Sequence, residues 1–71
     1  MNTIKVKANE PIQVYNSRVG VESPAGTMFS YSADGVSFTI YKDTLEDGTN
    51  VIANVPEGMY LEFDKDVTVC Y

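Results

Sequence analysis

Met28-Phe29-Ser30-Tyr31-Ser32, then Ala33-Asp34-Gly35, then Val36-Ser37-Phe38-Thr39-Ile40-Tyr41-Lys42 is the stretch that decides the fold. Two runs of alternating apolar and polar residues flank an Asp-Gly pair. Strand side chains alternate between faces and Gly accepts the positive φ that a tight turn requires, so the pattern is that of a β-hairpin. In the first run Phe29 and Tyr31 share one face, and Ser30 and Ser32 the other. In the second, Val36, Phe38 and Ile40 oppose Ser37, Thr39 and Tyr41. The apolar face of each run is assigned to the core.

The same period of two extends in both directions. Toward the N-terminus, Ile4 and Val6 alternate with Lys5 and Lys7, Ile12 and Val14 with Gln13 and Tyr15, and Val19 and Val21 flank Gly20. These predict three short strands. Pro11 has no N–H to give to a ladder and suits a strand start or an edge. Ser23-Pro24-Ala25-Gly26 predicts a type I turn with Pro second and Gly fourth. Toward the C-terminus, residues 43–50 form the one sizeable polar gap and read as an exposed loop, followed by a strand over 51–55 and a turn at Pro56-Glu57-Gly58. Met59, Leu61 and Phe63 alternate with Tyr60 and Glu62, and after Asp64-Lys65-Asp66 the residues Val67, Val69 and Tyr71 alternate with Thr68 and Cys70.

No stretch offers a helical face. The expectation is a single all-β domain over residues 1–71: a small antiparallel β-sandwich or barrel of roughly six to eight short strands, Ig-like or jelly-roll-like. The stretches beginning at Pro24 and Pro56 both run through a turn, a strand, an Asp-containing turn and another strand. They read either as a duplicated hairpin unit or as shared turn chemistry.

A domain of 71 residues buries only about 60% of the surface its unfolded chain exposes. Disulfides, metals or association usually supplement such a core. A lone Cys70 forms no internal bridge, and without His no common zinc site can be completed, which leaves association, including a homo-oligomer. Ten acidic residues against five basic ones give a net charge of −5, which repels phosphate backbones and anionic lipids. Neither nucleic acid nor membrane is an expected partner. An acidic surface serves solubility first and also fits a basic protein. The first residues lack the apolar run of a secretory signal, so synthesis in a cytoplasm without secretion is expected.

Chemistry is sparse. The carboxylates fall in turns or on polar faces where water keeps them ionised, so none is expected to act as a shielded general acid. Asp43, Glu46, Asp47 and Asn50 form the best calcium candidate. Counting from Asp43, however, the third position is Leu45 and the twelfth Asn54, where an EF-hand requires an oxygen ligand and a Glu. Cys70 has no His to activate it, and no glycine loop precedes Lys-Ser or Lys-Thr. The reading is of no catalytic residue, no metal, no cofactor and no enzyme. What remains is surface: Tyr15, Tyr41 and Tyr60 fall opposite the apolar alternation and are the candidate binding residues for protein or sugar. Ordinary packing of strand tyrosines would account for them equally.

Phe29-Ser30-Tyr31-Ser32-Ala33-Asp34-Gly35-Val36-Ser37-Phe38, with Val55-Pro56-Glu57-Gly58-Met59-Tyr60 and Asp66-Val67-Thr68-Val69, resembles small all-β accessory proteins of tailed-phage virions. The resemblance spans residues 24–71. β-Sandwich modules appended to sugar-active enzymes share the same style of tyrosine-serine strands and Asp-Gly turns. The phage resemblance implies a structural protein of the bacteriophage virion, a capsid decoration or auxiliary protein. Such a protein would bind an assembled shell through the major capsid protein or another virion protein, with no catalytic residues to carry over. The alternative is a small carbohydrate- or protein-binding module.

Overall fold

The computed structural model describes residues 2–71 and builds them from eight strands. These are β1 (Thr3–Val6), β2 (Ile12–Val14), β3 (Val19–Ser23), β4 (Phe29–Ser32), β5 (Thr39–Ile40), β6 (Gly48–Ile52), β7 (Met59–Phe63) and β8 (Val67–Cys70). Every pairing is antiparallel: β1 with β8, β2 with β7, β3 with β6 and β4 with β5. The chain is thus a long ribbon doubled back at residues 33–38. Winding the ribbon adds the β3–β8 and β4–β7 contacts and splits it into two four-stranded sheets, ordered β1-β8-β3-β6 and β2-β7-β4-β5. That order defines a jelly roll, one of the two expected architectures. An immunoglobulin sandwich keeps its first two strands in one sheet, whereas here β1 and β2 lie in different sheets.

Alternation places the core where the sequence puts it for most strands. Val6, Val14, Val19, Val21, Phe29, Leu61, Phe63, Val67 and Val69 are buried between the sheets together with Val55. Val21 sits opposite Val69, and Phe29 opposite Phe63 with ring centroids 6.0 Å apart. Each such side chain contributes roughly 1.5–3 kcal/mol on burial. Pairing persists past β8, since the Tyr71 N–H donates to Asn2 O at 2.9 Å and the Asn2 N–H to Tyr71 O at 2.6 Å.

The deciding hairpin exists, but its second strand differs from expectation. Ser32 Oγ accepts the N–H of Asp34 (3.3 Å) and Gly35 (2.9 Å), and Asp34 Oδ1 accepts those of Val36 (2.9 Å) and Ser37 (3.0 Å). These side chains take donors that a ladder would have used, so residues 33–38 form a broad loop and pairing resumes only at Thr39. The register then sets Thr39 opposite Tyr31 and Ile40 opposite Ser30. Ile40 therefore points outward, 63% exposed, and Val36 at the loop tip is 82% exposed. The core face assigned to Val36, Phe38 and Ile40 is corrected accordingly. The N–H groups of Ser37 and Val36, with the Ser32 hydroxyl, hold the Asp34 carboxyl down at about 2.

Three smaller corrections follow from side-chain hydrogen bonds and topology. Gly26 has φ +80° and Thr27 Oγ1 donates to Pro24 O at 2.7 Å. The turn therefore spans Pro24 to Thr27 with Gly third, matching the Pro56 turn, where Gly58 has φ +82° and the Met59 N–H donates to Pro56 O. The likeness ends there, because β4 and β5 share a sheet while β7 and β8 do not. The two stretches share turn chemistry and are not a repeated hairpin. Finally, the strand expected over 51–55 runs instead from Gly48 to Ile52. Asn50 explains the shift: its Nδ2 donates to Glu46 O (2.9 Å) and Ser23 Oγ (3.2 Å), while its Oδ1 accepts the Glu46 N–H (3.0 Å).

Candidate functional site

The sandwich has two long sides, one bounded by the edge strands β1 and β2, the other by β5 and β6. On the second side the sheets part over a cleft of about 300 Å³. Its wall begins with the inner face of β4, where Phe29 lies opposite Phe63 and Tyr31 opposite Leu61. The Tyr41 N–H donates to Phe29 O at 2.9 Å, which carries the Tyr41 ring over Phe29. The rings stack at 4.8 Å with 15° between their planes. Met59 and Leu61 from β7 form the floor, and Ile52 at the end of β6 forms the far wall.

The chemistry of the cleft is uniform. Among the described residues no Asp, Glu, Lys or Arg lines it, and apart from the two tyrosine hydroxyls Asn54 supplies the one polar side chain. Tyr31 and Tyr41 are partly exposed, Tyr41 by 42%. Such a surface binds by desolvating apolar and aromatic area, with tyrosines offering a polar tip at the rim.

The three candidate tyrosines do not form one patch. Tyr41 belongs to the cleft. Tyr60 lies on the outward face of β7, opposite Ser32 and Gln13, and its ring supports the 33–38 loop. Gly35, at φ +78°, sits so close above that ring that a Cβ there would fall 3.1 Å from Tyr60 Cζ. Tyr15 follows β2 and is 58% exposed, its ring against Gly58 and its surroundings made of Asn16, Ser17, Arg18 and Glu57. Tyr31 escaped the sequence reading because it shares the face of Phe29 and so counted as core. An aromatic with a hydroxyl on a core face is the signal that it stands at a mouth.

The calcium candidate is otherwise engaged. Both ends of the Asn50 amide are tied to Glu46 backbone, and Leu45 pairs with Thr27 and packs on the core. Among the described residues, no group of three or more His, Cys, Asp or Glu is placed to hold a metal ion. Cys70 is a half-buried free thiol on β8. No protein-family model matches the chain, and neither does any curated protein or solved structure.

Proposed function

We propose that this chain is a non-catalytic attachment protein, a decoration or auxiliary protein that binds an assembled virion shell by receiving an apolar side chain of a shell protein in the β5/β6 cleft. The observation that carries the reading is the Tyr41 ring stacked on Phe29 in a cleft that, among the described residues, no Asp, Glu, Lys or Arg lines. Aromatic residues and a lack of charge characterise the centres of protein interfaces. A sugar site needs several converging polar groups, and Asn54 with two phenol hydroxyls supplies few. The jelly roll also serves viral capsid and lectin domains, which supports the reading by analogy of fold alone. Weak contacts repeated across a lattice add up to firm attachment, so a small cleft suffices for such a protein. Residence in the virion after synthesis in the host cytoplasm belongs to the same proposal.

Co-sedimentation with a panel of purified tailed-phage capsids tests it. The expected result is that the chain pellets with a shell and that Tyr41→Ala and Tyr31→Ala release it while Tyr15→Ala does not. A chain that stays in the supernatant with every shell overturns the reading. So does glycan-array binding that Tyr41→Ala abolishes.

A further inference from the structure

Edge strands expose unpaired backbone N–H and C=O groups and invite pairing unless shortness, Pro, Lys or a covering element blunts them. Three of the four edges here are blunted. β5 has two residues. β2 has three and follows Pro11. β1 carries Lys5 and runs on into Lys7. The fourth, β6, has five residues, as many as the central strands β3 and β7, with no charge and no Pro in Gly48-Thr49-Asn50-Val51-Ile52. Val51 on its outward face is 57% exposed. Among the described residues β3 is its one ladder neighbour, so the N–H and C=O of every second residue point away from the sheet.

The same strand borders the cleft. Ile52 ends β6 and lines the wall facing Tyr31 and Tyr41, and the segment just past it continues that wall. A strand laid along β6 would direct alternate side chains inward, toward the cleft, so the free edge and the cleft make one composite site. The start of β6 is its more acidic end. Glu46 and Asp47 precede β6 and Glu22 lies opposite Thr49, with Lys5 and Lys7 across the same outer depression as Glu22 and Asp47. At the other end Arg18 adjoins Val19, the partner of Ile52, with Glu57 beside it. We propose that β6 receives an extended segment of the shell protein as a ninth, antiparallel strand. That segment would alternate apolar and polar residues, put one apolar side chain into the cleft and end in Lys or Arg beside Glu46 and Asp47. Antiparallel addition puts the end of the incoming strand at the start of β6, where the acidic residues are. This inference rests on the attachment reading and specifies the recognition mode.

The test uses the whole chain and two synthetic peptides, Thr-Leu-Thr-Leu-Thr capped at its end by Lys-Lys or by Glu-Glu, followed by amide NMR at low salt. The Lys-Lys peptide is expected to shift the β6 amides together with the Tyr31 and Tyr41 signals, to slow hydrogen exchange at alternate β6 amides, and to bind about five- to tenfold more tightly than the Glu-Glu peptide. Val51→Pro is expected to abolish the β6 response, with circular dichroism reporting that the sandwich persists. Val51→Lys, which keeps the N–H, serves where the Pro variant unfolds, and is expected to weaken binding of the Lys-Lys peptide. Equal binding of both peptides, shifts confined to the cleft, or no shifts at all overturn the inference. So does self-association of the chain through β6, which would make a second copy the occupant. Capsid pelleting with β6 amides unprotected would overturn strand addition while leaving attachment intact, and failure to pellet would overturn both.

Discussion

The two long sides of the sandwich are built from the same kind of strand and end up opposite in character. On the β1/β2 side the inward Val6 and Val14 are buried, Ile12 is half-buried and Ile4 at the start of β1 is partly exposed, while the outward Lys5 and Gln13 are polar. The crossing segment there is strapped down, with the Ala8 N–H donating to Asp66 Oδ1 at 2.8 Å and the Asn9 N–H to Phe63 O at 2.7 Å. On the β5/β6 side the inward Tyr31 and Tyr41 remain partly exposed and the outward Ile40 and Val51 are apolar. One side buries most of its apolar residues, whereas the other leaves more of them exposed. The difference is written in which edge carries valine inward and lysine outward, and on the attachment proposal it separates stability from recognition.

Breaking the closed part should cost most. Phe63→Ala removes a fully buried ring beneath Phe29 and should destabilise by about 3–5 kcal/mol, enough to unfold much of so small a domain. Urea unfolding followed by circular dichroism measures this. Asn50→Ala strips the bonds that join Glu46, Ser23 and β6 and should cost about 1–3 kcal/mol in the same assay, with hydrogen exchange quickening first at residues 46–50. Tyr41→Ala removes the stack on Phe29, worth about 0.5–1.5 kcal/mol, and sharpens the comparison, because shell binding should vanish while the fold survives.

The loop that ends β4 offers a titration. Its folded carboxyl at Asp34 is lowered from 3.8 to about 2, so its contribution is present above the unfolded value and is lost as pH falls through the folded one. Thermal melts of the wild-type chain should therefore decline over that acid interval more steeply than those of Asp34→Asn, whose amide oxygen still accepts the Val36 and Ser37 N–H groups. The smallest effect belongs to Tyr15→Ala, expected to stay within about 0.5 kcal/mol, since its ring is largely in water.

Period-two alternation was enough to place β1, β2, β3, β7 and β8, because each has apolar residues on one face and polar residues on the other. It failed where side chains compete with the backbone for hydrogen bonds. Ser32 and Asp34 diverted the N–H groups of residues 34–37, which turned Ile40 outward and Tyr41 inward. Asn50 drew polar residues into β6 that looked like loop. The site was legible only in part. Tyr41 was singled out because the alternation set it on the outward, polar face, whereas a register that no local pattern sets turns it inward onto Phe29, and Tyr15 and Tyr60 sit elsewhere.

Hydrogen exchange of the chain alone and on a purified capsid that pellets it tests the contrast between the two sides most directly. Contact at the β5/β6 side predicts slowed exchange at residues 39–41 and 48–55 on the capsid, with β1 and β2 unchanged. Protection concentrated on β1 and β2, with the Tyr31–Tyr41 cleft exchanging as it does in free solution, would contradict it.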